Sequence, residues 1–279
     1  MTWLGLRNKT AIVTGAASGI GAAISKALIT EGCHVLMADV HEEKLYKVAE
    51  NIQSISSSTT TKPFVCDVTD HHQVQNMIKD ADMLASSSFS NSCIATILIN
   101  CAGITKDNFS YKLSRQDYEQ VMTVNVDGTY HTCQSFCQPT RLSLDNNSNS
   151  SSSSLSIVNM SSVVGKYGNI GQVPYATSKG AVLALTKSLA KEMAFLHQKK
   201  EQNIPLVRVN AIVPGFIDNT AMTNKVPEKI KDQLMQEKIA LKHFGTVHDI
   251  ANLTLFLSSS LRSSYITGEC IECSGLISL

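Results

Sequence analysis

The sequence contains no apolar run long enough to cross a membrane, and it has almost no net charge. A membrane-spanning helix needs about 20 predominantly apolar residues, and polar or charged residues interrupt every apolar segment well before that length. The 24 lysines and arginines nearly balance the 23 aspartates and glutamates, which gives a formal charge of +1. The chain therefore lacks the overall field that attracts nucleic acid or an anionic membrane, and we expect no membrane span and no nucleic-acid partner.

A disulfide framework and a metal-binding pattern are also missing. The eight cysteines lie mostly in apolar segments, at spacings unlike those of a disulfide-rich secreted domain. Cys270 and Cys273 form a CxxC pair, but a zinc site would need a second pair or nearby histidines. We expect no bound metal and reduced thiols. The first strand-like segment begins at Thr10, which leaves no room for a signal peptide, so we expect a soluble intracellular protein.

What the sequence does contain is an alternation of short apolar segments with segments of helical period. Seven segments rich in β-branched residues predict strands: TAIVTG (10–15), HVLMAD (34–39), PFVCDV (63–68), ATILINCAG (95–103), LSIVNMSS (155–162), LVRVNAIVPG (206–215) and ECIECSG (269–275). Strands that alternate with helices indicate βαβ units, and nearly continuous apolar strands are typical of a parallel sheet covered on both faces. The sequence predicts one α/β domain over residues 1–279.

Three polar stretches rich in serine interrupt this alternation, near residues 54–61, 86–92 and 145–156. A low-complexity composition of this kind buries too little apolar surface to offset the entropy of ordering. Each stretch falls between a predicted helix and the next strand. We therefore expect flexible surface insertions rather than parts of the core.

The first predicted strand leads directly into TGAASGIG, which precedes a helix. Gly15 would allow a tight turn, Gly19 would let the backbone approach a pyrophosphate, and Gly21 would let the helix pack closely on the strand. The N-terminus of the helix would stabilise the phosphate charge. This segment predicts a dinucleotide site, with Ser18 and Ile20 as further contacts.

Asp39 ends the second predicted strand and indicates which dinucleotide binds. A carboxylate about 20 residues beyond the glycine segment accepts hydrogen bonds from the adenosine ribose 2′-hydroxyl, and it would repel a 2′-phosphate. The glycine segment has Ser18 where a cation could have met that phosphate. We therefore predict NAD rather than NADP, with Asp39 and Val40 at the ribose. An alternative role for Asp39, as the N-cap of the following helix, stays open.

Tyr175 and Lys179 are four residues apart in a segment of helical period, so both project from one face of a helix. Lowering the pKa of a phenol from about 10 to about 7 takes roughly 4 kcal/mol. One ammonium about 4 Å away, in an effective dielectric of about 20, supplies a similar energy, and the positive charge of an oxidised nicotinamide would add to it. The pair predicts a tyrosine acid/base whose pKa is lowered by the lysine, with the surface of an amphipathic helix as the alternative.

The order of the motifs resembles that of the short-chain dehydrogenase/reductases. The matching segments are TGAASGIG, NCAG (100–103), Asn125 within VNVDGT, SSVVG followed by YATSK, and VNAIVPGFI (209–217). The resemblance implies a single-domain Rossmann fold with a seven-stranded parallel sheet and helices on both faces. The sequence departs from the family pattern in its three polar insertions, at Cys101, where many relatives have a second asparagine, and in its ending SGLISL, where a Gly-Gly pair is usual.

The resemblance also implies catalytic roles. Tyr175 would be the proton donor or acceptor, and Lys179 would lower its pKa and hold the nicotinamide ribose. The hydroxyl that orients the substrate carbonyl lies thirteen positions before the tyrosine in such relatives, which selects Ser162 and leaves Ser161 a structural role. Asn125 would bind a water that connects the lysine to solvent.

Further contacts with the cofactor follow from the same resemblance. The adenine would meet Asp67 and Val68. The cleft would be lined by Asn100, Ala102 and Gly103. The nicotinamide side would be formed by Pro214, Gly215, Ile217 and Thr220, although PGFIDNTAM is one residue longer than the commoner pattern. The alternation of apolar and charged positions over residues 216–242 predicts a helical lid that selects the substrate.

Within the family, NCAGITKDNF and YITGECIE are most similar to the branch that contains type 8 17β-hydroxysteroid dehydrogenases and bacterial 3-oxoacyl-acyl-carrier-protein reductases. The resemblance implies NAD-linked oxidation of the 17β-hydroxyl of estradiol or testosterone, or of 3-hydroxyacyl-CoA, and the reverse reduction. It also implies a homotetramer or a heterotetramer with a related reductase, and the mitochondrial matrix. A non-catalytic NAD-binding subunit is the alternative, and its signature would be loss of the serine, tyrosine or lysine.

Overall fold

The computed structural model describes residues 3–88, 94–144, 154–199, 204–218, 220, 223 and 226–277. Within these ranges the strands are β1 (Thr10–Thr14), β2 (His34–Asp39), β3 (Thr61–Val65), β4 (Ile97–Asn100), β5 (Leu155–Met160), β6 (Val207–Pro214) and β7 (Cys270–Cys273). They form one sheet in the order β3-β2-β1-β4-β5-β6-β7, and every neighbouring pair is parallel. The predicted α/β class with a seven-stranded parallel sheet is confirmed.

Helices cover both faces of this sheet. They are α1 (Gly19–Thr30), α2 (Glu42–Gln53), α3 (His71–Ser88), α4 (Arg115–Met122), α5 (Gly128–Phe136), α6 (Pro139–Leu142), α7 (Val163–Tyr167), α8 (Val173–Gln198), α9 (Glu228–Gln233) and α10 (Val247–Ser258). A π-helical turn at Thr123–Asp127 joins α4 to α5, and another at Leu234–Lys238 follows α9. In the part of the chain that the structure describes, no helix is both long and apolar enough to span a bilayer.

Each face of the sheet has its own hydrophobic core. Along β1, Ala11 and Val13 belong to the core formed with α1, α2 and α10, whereas Ile12 belongs to the core formed with α3, α5 and α8. Successive side chains of a strand point to opposite faces. A sheet covered on both faces therefore requires apolar residues at consecutive positions, which explains the uninterrupted apolar segments of the sequence.

The predicted insertions differ from the structure at their boundaries. Thr61 begins β3 because it pairs with Val35 of β2, and residues 86–88 complete α3. Leu155 and Ser156 begin β5. The side chain of Gln53 holds the loop before β3, since its Nε2 donates to the carbonyl of Thr59 at 2.9 Å. Residues 89–93 and 145–153, which contain most of the other two insertions, lie outside the described residues.

The strand order also locates a crevice. From β1 the chain moves outward through β2 to β3 and then returns to β4 on the other side of β1. The helices that leave β1 and β4 therefore diverge, and ligands of open α/β sheets bind at such a switch point, beyond the carboxyl ends of the strands. The glycine segment and the NCAG segment both follow strands at this edge.

Candidate active site

The glycine segment forms the turn between β1 and α1. Gly15 has a φ of +66°, and a Cβ added to it would lie 2.8 Å from the backbone nitrogen of Ala102. A Cβ on Gly21 would lie 2.2 Å from the carbonyl oxygen of Gly15. Packing thus requires both glycines. Gly19 has a φ of +51°, yet a Cβ there would meet no atom within 4 Å, so this glycine borders open space at the start of α1.

The N-terminus of α1 points toward that space and fits an anionic group. Its N-cap, Ser18, makes no side-chain capping hydrogen bond, and the first turn carries no acidic residue. The N–H groups of the first turn of a helix and the helix dipole together favour a bound phosphate. Ser18, Gly19 and Ile20 therefore fit the pyrophosphate of a dinucleotide.

Asp39 ties the glycine segment to the end of β2. Its Oδ2 accepts a hydrogen bond from the backbone N–H of Ala17 at 3.0 Å, and its Oδ1 accepts one from His41 at 2.9 Å. The N-cap of α2 is His41, so the alternative in which Asp39 caps this helix is wrong. A carboxylate has about four acceptor sites, which leaves capacity for ribose hydroxyls. Val40 beside it is exposed.

The predicted adenine contacts follow β3. Val68 is buried, and a Cβ added to Gly128 of α5 would lie 2.5 Å from its Cγ2. Asp67 folds back onto the next turn, because its Oδ1 accepts hydrogen bonds from the N–H and the hydroxyl of Thr69, at 2.9 and 2.8 Å. Both residues thus lie in a well-defined turn, and their contact with adenine stays a prediction.

The NCAG segment is fixed to β1 by one hydroxyl. Thr14 Oγ1 accepts hydrogen bonds from the backbone N–H groups of Cys101 and Ala102, both at 3.2 Å. The amide of Asn100 is engaged inside the fold, where its Nδ2 donates to Asn159 Oδ1 at 2.9 Å and its Oδ1 accepts from Thr132 at 2.8 Å. The side chain of Asn100 is thus occupied inside the fold, whereas the backbone of Ala102 lies against Gly15 of the glycine segment.

Tyr175 and Lys179 lie on the buried face of α8, with 8% and 4% of their surfaces exposed. The alternative of a helix surface is therefore wrong. Lys179 Nζ donates a hydrogen bond to the carbonyl of Met160 at 2.8 Å and lies 5.8 Å from the centre of the Tyr175 ring. Gly103 of the NCAG segment lies against Lys179, since a Cβ added to this glycine would be 3.3 Å from Lys179 Nζ. The amine thus lies between the end of β5 and the NCAG segment.

The two adjacent serines have different partners. Ser162 caps α7, its Oγ accepting from the N–H of Val164 at 3.2 Å, and its side chain lowers the pKa of Tyr175. Ser161 Oγ donates to the carbonyl of Lys179 at 2.8 Å and so fastens α8 to the end of β5. The structure brings Ser162, and not Ser161, to the tyrosine hydroxyl.

The pKa of Tyr175 moves in the direction opposite to the sequence-based prediction. Burial raises this pKa to about 12, and the negative charge of Asp107 also raises it, whereas the hydrogen bond with Ser162 lowers it. Burial lowers the pKa of Lys179 to about 8. In the chain without a nucleotide the pKa of Tyr175 is thus raised, because burial penalises the phenolate and the Lys179 amine is hydrogen-bonded to the carbonyl of Met160. A phenol pKa near 7 with an oxidised nicotinamide bound stays a prediction.

Asn125 is fully buried in the π-helical turn between α4 and α5. Its Nδ2 donates to the carbonyl of Ile104 at 2.9 Å and to Ser178 Oγ at 3.0 Å, and its Oδ1 accepts from the N–H of Ile104 at 2.8 Å. Its side chain therefore fixes the loop after β4 against α8. The water that would connect Lys179 to solvent stays a prediction.

The predicted nicotinamide side is formed where β6 ends. Gly215 donates its N–H to the carbonyl of Cys273 at 2.9 Å, and a Cβ added to it would lie 2.7 Å from Ser274 Cα. Ile217 pairs with Gly245 in a short parallel bridge. Pro214 and Gly215 are therefore held against the end of β7.

The extra residue of PGFIDNTAM places two threonines where the sequence predicts one. Thr223 Oγ1 donates a hydrogen bond to the carbonyl of Ile217 at 2.8 Å. The two threonine hydroxyl oxygens, Thr220 Oγ1 and Thr223 Oγ1, lie 2.9 Å apart. The sequence analysis selected Thr220 and did not consider Thr223. The extra residue in PGFIDNTAM was the signal that the position of the threonine is shifted. The segment for which a lid is predicted contains α9, and its positions 219, 221, 222, 224 and 225 lie outside the described residues. Its role as a lid stays a prediction.

The CxxC pair lies within β7, where Cys270 pairs with Ala211 and Cys273 with Pro214 of β6. In the described ranges, no group of three or more His, Cys, Asp or Glu side chains is arranged to hold a metal ion.

Comparisons with known proteins agree with this geometry. The sequence model of the family described as short chain dehydrogenase matches residues 9–231. The chain is 35% identical over 270 residues to the 3-oxoacyl-[acyl-carrier-protein] reductase FabG of Thermotoga maritima, covering 97% of this chain and 98% of that protein. It is 36% identical over 277 residues to the (3R)-3-hydroxyacyl-CoA dehydrogenase of Mus musculus, covering 98% and 97%.

A solved structure shows the same fold. The crystal structure of a protein of Sinorhizobium meliloti, described as a short-chain alcohol dehydrogenase, matches with a TM-score of 0.82 and 29% identity, over 98% of this chain and 97% of that chain. The chain therefore belongs to the short-chain dehydrogenase family, oxidoreductases whose Rossmann fold binds a nicotinamide nucleotide.

Proposed function

We propose that the protein is an NAD-dependent dehydrogenase that oxidises the hydroxyl group of 3-hydroxyacyl thioesters and catalyses the reverse reduction of 3-oxoacyl thioesters. The observation that carries the proposal is the burial of Tyr175 and Lys179 on one face of α8, with Ser162 close enough to lower the pKa of Tyr175. The NCAG segment connects this group to the glycine segment, because Gly103 lies against Lys179 and Ala102 against Gly15. The names of the T. maritima and M. musculus relatives support the acyl substrate. The structure describes all three side chains, so the signature of a non-catalytic subunit, loss of one of them, is not met.

The chain's own residues provide the acid/base chemistry. In the oxidative direction Tyr175 Oη accepts the proton of the substrate hydroxyl, and Ser162 Oγ holds the substrate oxygen. Lys179, whose pKa is about 8, is mostly charged at neutral pH and stabilises the phenolate that accepts the proton. Bound NAD supplies the hydride acceptor. In the reverse direction Tyr175 Oη donates the proton to the 3-oxo group.

The preference for NAD over NADP rests on Asp39 and is tested there. Asp39→Ser is expected to lower the ratio of kcat/KM with NAD⁺ to kcat/KM with NADP⁺ by about 10²-fold, since placing a 2′-phosphate beside a carboxylate costs several kcal/mol. The single serine hydroxyl cannot replace both oxygens that accept from Ala17 and His41, so the melting temperature of the variant is measured to check that it is folded. Glu43→Ser, at an acidic position in the first turn of α2, is the control and should leave the ratio unchanged. A wild-type protein equally active with NADP⁺ would contradict the role of Asp39.

The substrate class is tested by comparing kcat/KM for a medium-chain 3-hydroxyacyl-CoA and for estradiol, both with NAD⁺. We expect the thioester to be oxidised with the higher value. A higher value for estradiol, with little turnover of the thioester, would replace the proposal with the 17β-hydroxysteroid activity that the sequence also suggests. No turnover of either compound by protein that binds NAD would favour the non-catalytic subunit.

The tetramer and the mitochondrial matrix location stay predictions. Light scattering on the purified chain would show a homotetramer as four times the chain mass of 30.2 kDa. Co-purification with a second reductase at equal amounts would show the heterotetramer instead.

A further inference from the structure

A carboxylate on the last strand connects two segments that border the active site. Glu272 lies in β7, and its Oε2 accepts hydrogen bonds from Lys166 Nζ and Tyr167 Oη, both at 2.8 Å. Its Oε1 accepts from Ser274 Oγ at 2.6 Å. We call these four residues the Glu272 clamp. Lys166 and Tyr167 lie between Ser162 and Tyr175 in the sequence, and the proposed chemistry does not use them.

One end of the Glu272 clamp is attached to the catalytic serine. Lys166 and Tyr167 are the last two residues of the five-residue helix α7, whose N-cap is Ser162. Gly165 in the same helix lies against α8, because a Cβ added to it would be 2.6 Å from the backbone carbon of Lys179. The helix α7 is therefore a short rigid connection, and a shift of its C-terminal end displaces the serine hydroxyl.

The other end is attached to the predicted nicotinamide side. Glu272 and Ser274 flank Cys273, whose carbonyl accepts the N–H of Gly215 at 2.9 Å. Gly215 approaches Ser274 so closely that it has no room for a Cβ. The Glu272 clamp thus connects the turn at Gly215, after β6, with the helix α7, whose N-cap is Ser162.

We propose that Glu272 is a positioning residue that fixes the position of the Ser162 hydroxyl relative to the turn at Gly215. The substrate oxygen bound by Ser162 and the nicotinamide beside Gly215 are then held in a reactive geometry. This role rests on the proposed function of Ser162. The Glu272 side chain is 18% exposed and that of Lys166 47%, and ion pairs this accessible add little to stability. Geometry is far more sensitive, since a misplacement of about 1 Å costs up to about 10²-fold in rate.

The variant Glu272→Gln, in the full-length chain, tests this role. We expect kcat for the 3-hydroxyacyl-CoA to fall about tenfold, with the melting temperature and the Kd for NAD unchanged. The double variant Lys166→Met/Tyr167→Phe removes the donors from the other side and should show the same loss. Glu119→Gln is the matched control, because it breaks the Arg115–Glu119 ion pair of 2.6 Å on α4, away from the cleft, and should keep wild-type kcat.

A double-mutant cycle separates positioning from a structural role. If Glu272 acts through Ser162, then Glu272→Gln has no further effect on kcat in a Ser162→Ala background. Wild-type kcat in a folded Glu272→Gln protein, or effects of the two substitutions that multiply, would overturn the role of Glu272. Ser162→Ala with wild-type kcat would instead overturn the proposed function, and the positioning role with it.

Discussion

Tyr175→Phe is expected to lower kcat for oxidation of a 3-hydroxyacyl-CoA by about 10²- to 10⁴-fold, the usual contribution of a positioned acid/base group. The substitution removes only the hydroxyl that shares a hydrogen bond with Ser162. The ring stays in its buried position on α8. Steady-state reduction of NAD⁺, followed at 340 nm and at saturating substrate (about ten times KM), measures the effect directly.

The control is Tyr130→Phe, because Tyr130 is exposed on α5 and should leave kcat unchanged. Binding of NAD to the Tyr175→Phe protein, measured by titration, should match the wild type, since the glycine segment and Asp39 are untouched. A Tyr175→Phe protein that binds NAD normally and retains wild-type kcat would show that the proton acceptor is another group.

Lys179→Met is expected to abolish activity and, at the same time, to stabilise the fold. The amine is nearly fully buried, and burial lowers its pKa to about 8, well below the ordinary value of about 10.4. Holding it charged at pH 7 costs about 3 kcal/mol. Methionine removes that cost but leaves the carbonyl of Met160 without its donor, which costs about 1 to 3 kcal/mol. We expect a net gain of about 1 kcal/mol, and a fall in kcat of at least about 10²-fold because the phenolate loses its nearby charge.

The pH dependence of stability identifies this lysine independently of activity. Between about pH 8 and about pH 10.4 the folded chain releases the proton of Lys179 while the unfolded chain retains it, so this lysine contributes a rise in the free energy of unfolding with pH. The buried thiols of Cys33, Cys66 and Cys133 contribute a fall over the same range, because burial raises their pKa above that of unfolded cysteine. The test is therefore a difference between proteins. Urea unfolding at pH 7 and pH 9.5 should show that the stability advantage of Lys179→Met over the wild type shrinks with pH, whereas the difference between the wild type and Lys191→Met, an exposed position of α8, stays constant. An advantage of Lys179→Met that is the same at both pH values would contradict the buried charge.

The sequence predicts those features of the fold and the cleft that depend on local pattern. Consecutive apolar residues such as Ala11 and Ile12 must face two different cores, so they indicate a doubly covered parallel sheet. Gly15 and Gly21 are needed because a Cβ would strike the backbone, and their spacing indicates the turn. The four-residue spacing of Tyr175 and Lys179 indicates one helical face, and the resemblance to the family adds Ser162. The structure brings these three residues together.

Other features depend on contacts between distant segments and on burial, which spacing does not encode. The pKa of Tyr175 is dominated by burial, whereas the sequence shows only that Lys179 lies four residues further along the chain. The amide of Asn125 is directed by Ile104, twenty-one residues away, and by a π-helical turn whose geometry the VNVDGT motif does not indicate. Glu272 reaches Lys166 across 106 residues of sequence, so neither side chain indicated the other.

The most direct test of the proposed chemistry is transfer of a label from substrate to cofactor. A medium-chain 3-hydroxyacyl-CoA deuterated at C3 is incubated with the full-length protein and NAD⁺, and the reduced nucleotide is analysed by mass spectrometry. We predict that the deuterium appears in the nicotinamide ring in one-to-one ratio with the 3-oxoacyl-CoA formed, with the wild type and not with Tyr175→Phe. Reduced nucleotide without deuterium, or no oxidation of the thioester by protein that binds NAD, would contradict hydride transfer from this substrate.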